Sequence, residues 1–364
     1  MYKYFKIIVA FSISLLNIAM SFCFADEMNT SITSTYHWGR GLTIPSADLT
    51  LGGYVNVSYE HFESKSDAAS LDDLSLFISW SPHAQIRFFT ELEMESLIST
   101  HGVADFSDSF SLERLYVDFL FTDSLSARFG QFLTLVGIWN LAHVSPLVWT
   151  TSRPIVTESQ LFPSRTNGLM LTKQFIVNDH DLEFSLYVDD SEALDPRKLD
   201  GNDDDDRIDP EVAFKHAIGL HLNYEPIDSL KTGISYLAFK KRADKDLSTN
   251  HLLGVDLFWE KDRYQVQMEF AYRTTDDEQG SETSGYLQGV APLGNKFFAI
   301  ARYEFVNGKH QYESTIVDGT THVAVPALAW RPYIPLVIKA EYRFGSNNEK
   351  LAPSGFFTSF SMLF

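Results

Sequence analysis

Three charged side chains, Arg153, Glu158 and Arg165, lie in a long segment, about 133–166, that is otherwise rich in apolar and aromatic residues. A link of this length without secondary structure is usually functional in a compact protein. Its apolar content predicts that it packs against the rest of the chain. If it folds into the interior of a closed sheet, its charges stand where ions pass, so we predict all three as constriction residues. Packing on an outer rim, or against a neighbouring subunit, is the alternative interpretation.

A second set of charges alternates with apolar residues along strand-like segments. Arg87, Glu91 and Glu93, for example, fall on one strand face, and Phe88 and Leu92 fall on the other. Charges on a strand face are tolerated only where water reaches them. The candidates for lining such a wet interior are Arg87, Glu91, Glu93, Arg114, Asp118, Arg128, Arg273, Arg302, Glu304, Lys339, Glu341 and Arg343. Acidic residues slightly outnumber basic ones over all inward positions, which predicts a weak preference for cations.

An acidic run in a later link carries oxygen ligands that suit calcium. The weak calcium candidates are Asp200, Asn202, Asp204, Asp206 and Glu211. The glycine of a calcium-binding loop is replaced by Asp205, so a solvated run of like charges is the favoured interpretation. The 11 histidines are scattered, and no motif of a catalytic triad, phosphate loop or dinucleotide site is present. The sequence therefore predicts no enzyme, no cofactor and, apart from this run, no metal site.

The elements that must position the inward charges are long antiparallel strands. Period-two alternation runs from Leu49 almost to the end of the chain, in runs that reach the length of a tilted membrane strand. Short and long links alternate, as turns and loops do on the two sides of an outer membrane. We therefore predict an all-β fold, a closed antiparallel transmembrane β-barrel of about 16 strands over residues 49–364, with a long third extracellular loop. A barrel of this size encloses an aqueous channel.

The last ten residues also favour a barrel. Phe356, Phe360, Met362 and Phe364 share one strand face, and an unpaired apolar edge strand of this kind would aggregate. Pairing with the segment 49–62 would close the sheet and leave no edge. The terminal Phe364 resembles the C-terminal signature of bacterial outer-membrane barrels, which implies a signal recognised by the barrel-assembly machinery.

The N-terminal region has the features of an export signal. Lys3 and Lys6 precede an apolar stretch that is too short to span a bilayer, and cleavage after Ala25 is expected. Residues 1–25 are thus predicted as a signal peptide, and residues 26–48 as a periplasmic lead, a plug or an extra strand. The single cysteine falls in the signal, which suits an exported protein. A formal net charge of −19 argues against nucleic acid as a partner.

The overall pattern resembles the general porins of Gram-negative bacteria, in the strand count, the long third loop and the final Phe. Locally, Arg128-Phe-Gly-Gln-Phe132 followed by Gly137 resembles the phosphate-selective porin group. The resemblance implies an outer-membrane location, contact with lipid and lipopolysaccharide, and a homotrimer. The anion selectivity of that group rests on basic clusters, whereas the basic residues here are matched by acidic ones.

These patterns together predict a porin that forms a passive, water-filled channel for small hydrophilic solutes and ions, with a weak cation preference. Two alternatives remain open. One is a substrate-specific channel, for example for phosphate or another small anion. The other is a surface barrel that acts as an adhesin or receptor and conducts nothing.

Overall fold

The computed structural model describes residues 34–63, 66–100, 102–103, 109–158, 161–191, 213–241, 248–276, 280–312, 315–349 and 351–364. Residues 1–33, which include the predicted signal peptide, and the calcium candidates lie outside the described residues. The strands are β1 (Thr35–His37), β2 (Gly41–Ile44), β3 (Leu49–Phe62), β4 (Ala68–His83), β5 (Ile86–Ser99), β6 (Gly102–Val103), β7 (Phe110–Thr122), β8 (Leu125–Leu133), β9 (Arg165–Val177), β10 (His180–Asp189), β11 (Phe214–Ile227), β12 (Leu230–Lys241), β13 (Asn250–Lys261), β14 (Tyr264–Thr275), β15 (Ser281–Pro292), β16 (Phe297–Tyr312), β17 (Thr315–Tyr333), β18 (Leu336–Ser346) and β19 (Gly355–Leu363). The helical segments are a 3-10 turn at Pro45–Ala47 and α1 at Ile155–Glu158.

Sixteen of these strands form one closed antiparallel barrel, which confirms the predicted fold class. Each barrel strand pairs with its neighbour in sequence, and the last strand pairs with the first. In that closing pair, Gly355 of β19 lies opposite Phe62 of β3, and Leu363 lies opposite Tyr54. The pairing predicted for the final segment is therefore confirmed. Because the sheet closes on itself, the barrel strands leave no free edge.

The described residues before the barrel form a small hairpin. β1 pairs with β2, and β2 continues along β3, with Leu42 opposite Leu51. Gly39 and Gly41 in this hairpin have φ values of +79° and +82°, which favour glycine. The hairpin thus lies at the end of the barrel where β3 begins and β19 ends, here called the turn end.

Short connections at the turn end are built by their backbone conformation. Asn178 and Asp179 join β9 to β10, and Asp262 and Arg263 join β13 to β14, with all four φ values positive. Two consecutive positive φ angles define the type I′ turn, whose twist matches that of the flanking strands. The longer connections lie at the opposite end, here called the loop end.

The two faces of the sheet invert the pattern of a water-soluble protein. Large apolar side chains exposed on the outside include Leu115, Phe129, Ile218, Leu287, Tyr303 and Leu328. Polar side chains buried on the inside include Glu91, Ser235, Glu304, Lys339 and Ser361. Aromatic rings stack across neighbouring strands at the turn end, with Phe297 and Trp330 5.9 Å apart between ring centroids. Such an outer surface suits lipid, with aromatic girdles at its borders.

No helix among the described residues has the length and apolar content to cross a membrane.

Candidate functional site: the barrel interior

A long link between β8 and β9, residues 134–164 and here called the inner loop, lies inside the barrel. Glu269 of β14 accepts a hydrogen bond from the Trp139 N–H at 2.7 Å. Glu341 of β18 accepts from the Thr151 N–H at 2.8 Å. Because both carboxylates are buried on interior faces of barrel strands, the segment that binds them lies within the interior.

Gly137 permits the first of these contacts. Its φ of +68° lies in the left-handed region, and a Cβ at this position would collide with the Glu269 carboxylate. Only glycine fits both constraints. The glycine that follows the Arg128–Phe132 motif in the sequence is thus explained by the path of the inner loop.

Basic side chains of β16 and β18 donate hydrogen bonds to carbonyl groups of the inner loop. Arg302 donates to the Ser152 carbonyl at 3.0 Å and forms an ion pair with Glu304 at 2.7 Å. Lys339 Nζ donates to the carbonyls of Ser145 and Thr150, at 2.9 and 3.1 Å. The interior faces of β14–β18, here called the anchoring wall, therefore meet the loop with donors and acceptors that match its backbone.

The charged side chains of the anchoring wall are shielded from water. Arg302, Glu304, Lys339 and Glu341 are each at most 2% exposed. Glu304 also accepts from the N–H of Ile155, the first residue of α1, at 2.5 Å. Breaking a buried pair of this kind costs about 3–5 kcal/mol, because the remaining charge loses its partner. The network therefore fixes the inner loop in place.

Apolar side chains of the inner loop complete its packing. Val156, Leu161 and Phe162 join a buried cluster with residues of β8–β14. Ile155 joins another with Val306, Val323, Val325 and Leu351. Each fully buried side chain of this size contributes about 1.5–3 kcal/mol. The unusual apolar content of this link is thus accounted for by its burial within the barrel.

The opposite side of the interior is rich in carboxylates. Asp73 of β4, Glu91, Glu93 and Glu95 of β5, and Glu113 of β7 form what we call the acidic wall. One oxygen from each of Glu93, Glu95 and Glu113 lies within 4.8 Å of the others. Glu95 is exposed to solvent and the other four are buried. Carboxylates this close repel one another unless cations lie nearby.

Arg153 of the inner loop is one such cation. It interacts electrostatically with Asp73, Glu95, Glu93 and Glu113, and its side chain is accessible to solvent although protein surrounds it. Burial lowers the pKa of Arg153, but the attraction of Asp73 and Glu95 outweighs this effect and raises the pKa above its usual value. The guanidinium therefore stays charged.

A second cation, Arg165 at the start of β9, forms an ion pair with Glu113. Arg153 and Arg165, which lie about twelve positions apart in sequence, thus meet the same group of carboxylates. Glu158, the third predicted constriction residue, ends α1.

The remaining predicted lining residues fall into local pairs. Arg114 pairs with Glu91 at 2.5 Å, and Arg128 pairs with Asp118 through two hydrogen bonds of 2.7 and 2.9 Å. Arg87 is exposed and lies opposite Asp118 in the β5–β7 register.

On the other side of the barrel, Arg273 pairs with Glu282 at 2.6 Å and donates to the Leu161 carbonyl at 3.2 Å. Arg343 is buried near Leu351, whose carbonyl accepts from it at 3.5 Å. Both arginines thus bind neighbouring strands, the inner loop or the link before β19.

Sequence reasoning missed Glu113 because strict alternation places it outside when Arg114 is inside. A register shift after Glu91 inserts an extra residue in β7 at this point, and Glu113 is buried inside the barrel beside Arg114. A β-bulge lets two consecutive residues face the same side. Two adjacent charges within an otherwise alternating strand are the sequence signal that could have revealed it.

Solved structures with the same architecture are porins and outer-membrane channels. OmpF of Salmonella typhi, solved with daunomycin, is 10% identical, with a TM-score of 0.62 over 91% of this chain and 100% of its own. The anion-selective porin of Comamonas acidovorans is 12% identical, with a TM-score of 0.62 over 87% and 100%. The channel DcaP of Acinetobacter baumannii is 11% identical, with a TM-score of 0.59 over 89% and 100%.

The chain has the porin fold. With its apolar outer surface, this fold agrees with the predicted location in the outer membrane of a Gram-negative bacterium. No protein-family model matches the sequence, and no curated protein matches it either. The local resemblance to the phosphate-selective group has no specific support among the structural neighbours.

Proposed function

We propose that this protein is an outer-membrane porin, a passive channel for small hydrophilic solutes and ions that is narrowed by the inner loop. The observation that carries the proposal is the solvent exposure of two opposite charges, Arg153 and Glu95, inside the barrel. Both side chains are accessible to solvent, although they lie inside the barrel and interact electrostatically. Water therefore reaches the space between the inner loop and the acidic wall. Solutes would cross there down their gradients.

The charges around this space favour a weak cation preference. The acidic wall supplies five carboxylates, and the described basic residues that interact with them include Arg114, Arg153, Arg165 and, at Asp73, Lys339. On the anchoring wall, by contrast, Arg302, Glu304, Lys339 and Glu341 all bind the inner loop, and Arg302 and Glu304 also pair with one another. A modest excess of carboxylates at a water-filled narrowing attracts cations without excluding anions.

Single-channel recording of the purified protein tests this function. We expect stable conductance steps, and a variant that lacks residues 144–153 should show larger ones if it keeps the same folded mobility on unheated gels. A folded barrel without any conductance would contradict the channel. Unchanged steps in the deletion variant would contradict only the narrowing by the inner loop. Reversal potentials in a salt gradient measure the selectivity, and a strong anion preference would contradict the cation preference.

Two further proposals concern assembly. Phe364 would act as the recognition signal of the barrel-assembly machinery. Its backbone N–H and carbonyl bond to Gly53 at 2.9 and 3.0 Å, and a Cβ on Gly53 would approach the Phe364 ring. Deleting Phe364 should reduce the amount of protein in the outer membrane. Correctly inserted barrels should keep their selectivity, and unchanged insertion would contradict the signal.

A homotrimer is also proposed, with outer-membrane lipid and lipopolysaccharide around it. OmpT of Vibrio cholerae, which is 9% identical with a TM-score of 0.57 over 87% of this chain and 99% of its own, was solved in a trimer form. The mass of the detergent-solubilised particle, measured by light scattering with the detergent subtracted, distinguishes three copies from one.

A further inference from the structure

A cavity of about 970 Å³ lies at the turn end of the barrel. Residues 38–40 of the N-terminal hairpin, residues 138–149 of the inner loop and the turn ends of β13–β17 enclose it. None of the predicted constriction or pore-lining residues is among its lining residues. Its lining residues are therefore distinct from Arg153 and the carboxylates of the acidic wall.

Aromatic rings dominate the lining of this cavity. They are Trp38, Trp139, Trp149, Phe258, Phe298 and Tyr333. The Trp149 and Phe298 rings lie 4.7 Å apart between centroids, and those of Trp38 and Tyr333 lie 5.2 Å apart. Such surfaces accept a planar apolar ring by stacking or by edge contacts.

The charges in the lining are all positive. Arg40, Lys296 and Arg331 line the cavity, and its described lining residues include no Asp or Glu. Two carboxylates outside the lining accept hydrogen bonds from lining residues: Glu260 from Gln265, and Glu269 from the Trp139 N–H, both at 2.7 Å. In a chain with a net charge of −19, a cavity lined by three cations is distinctive. Its field favours an anionic ligand.

Two buried donors in the lining lack an acceptor. Within the described part of the chain, the Trp139 indole Nε1 and the Arg331 Nε have no hydrogen-bond partner, and Trp139 is only 3% exposed. Buried N–H groups without partners are rare in native proteins. Both atoms are themselves shielded from solvent, and the other N–H groups of the Arg331 guanidinium donate to the carbonyls of Pro146, Leu147 and Val148, so Arg331 contributes positive charge to the cavity and not a free donor.

We propose that this cavity binds a small aromatic carboxylate, with the ring against the tryptophans and the carboxylate toward Lys296 and Arg40, the two exposed cations of the lining. Lys296 is exposed at the rim, with its Nζ 5.4 Å from the centroid of the Tyr333 ring. This places a solvent-exposed cation where a ligand would enter. Binding here goes beyond the proposed function, since it requires the folded barrel but no conduction.

Calorimetric titration of the purified full-length protein in detergent, with benzoate as the probe, tests the site. We expect saturable binding of one benzoate per chain. Benzyl alcohol and acetate should each bind about tenfold more weakly, since each lacks one of the two features that the cavity recognises. Benzyl alcohol or benzylammonium binding as tightly as benzoate would overturn the requirement for an anion, and equal binding of acetate would overturn the role of the rings.

Matched variants locate the binding. Lys296→Gln and Arg40→Gln change exposed side chains and should each weaken benzoate binding about threefold, the effect of a solvent-exposed charge pair. Lys261→Gln removes an exposed cation at the same end but outside the cavity, and should bind like the wild type. If all three variants weakened benzoate binding equally, or if none did, the assignment of binding to this cavity would be contradicted. A barrel that conducts ions but does not bind benzoate contradicts this inference alone, and one that binds benzoate without conducting contradicts the channel alone.

Discussion

The anchoring wall and the acidic wall use the same residue types in opposite ways. On the anchoring wall, Arg302, Glu304 and Glu341 are buried against the inner loop and bind its backbone. On the acidic wall, carboxylates crowd one another, and Glu95 and Arg153 interact electrostatically while both are exposed to solvent. A charged residue that points into this barrel thus either binds the inner loop or lines the water-filled passage. What decides is whether another segment covers it.

The difference is energetic as well as geometric. A buried charge that loses its partner costs several kcal/mol, whereas an exposed pair contributes about 0–1 kcal/mol. Changes on the anchoring wall should therefore alter the size of the passage. Changes around Arg153 should alter which ions enter it.

The largest effect is expected for Arg302→Ala. This change leaves Glu304 buried without its partner and removes the bonds from the guanidinium to Ser152. We expect the free energy that holds the inner loop against the anchoring wall to fall by about 3–5 kcal/mol. The inner loop should then leave the wall, because water can solvate Glu304 once the loop no longer covers it. Single-channel conductance should rise.

Arg114→Ala is the matched control for this change. It also leaves a buried glutamate, Glu91, without its arginine, but within the described part of the chain Arg114 hydrogen-bonds Glu91 and not the inner loop. Its folded stability should fall while the conductance of inserted channels stays near that of the wild type. A comparable rise in conductance for Arg114→Ala would break the distinction between the two walls.

A smaller effect is expected at the acidic wall. Arg153→Gln removes the accessible cation and should increase the preference for potassium over chloride about 1.4- to fivefold, corresponding to the 0.2–1 kcal/mol of an exposed pair. Glu95→Gln should lower that preference. Reversal potentials in a potassium chloride gradient measure both. If the two variants shift in the same direction, the charges at this place do not control selectivity.

The smallest effect concerns pH. Burial, and then the positive charge of Arg153, lowers the pKa of His143 below its ordinary 6.5, and its Nδ1 bonds the Asn140 carbonyl at 3.0 Å. A lowered pKa means that the neutral form stabilises the folded inner loop. This contribution is complete above pH 6.5 and is lost as the pH falls below it. Current fluctuations should therefore increase between pH 7 and pH 5.

His143→Asn tests the assignment, since asparagine keeps a donor near the Asn140 carbonyl but does not titrate in this range. The variant should show fluctuations that depend less on pH. The same pH dependence as the wild type would assign the effect to the carboxylates of the acidic wall.

Much of the barrel followed from the sequence because lipid imposes a simple rule on it. A strand with lipid on one side and a polar interior on the other must alternate, and every backbone group must pair. Runs such as Tyr264–Arg273 and Phe297–Phe305 obey this rule, so their faces and their approximate ends were predictable. Glu113 was not predicted because a β-bulge interrupts the alternation of β7 at this residue. The bulge arises from the pairing of β7 with β5, which the sequence of β7 alone does not reveal.

The sequence by itself determined the closed sheet, its sixteen strands and the apolar character of residues 133–166. It did not determine which inward charges meet water. Glu95 and Glu341 occupy equivalent positions in alternating strands, yet one is exposed and the other is covered by Thr151 and Ser152, 190 and 189 positions away. Alternation is a local property of a strand, whereas coverage depends on where a distant segment packs. Only the tertiary structure therefore shows which inward charges bind the inner loop and which meet water.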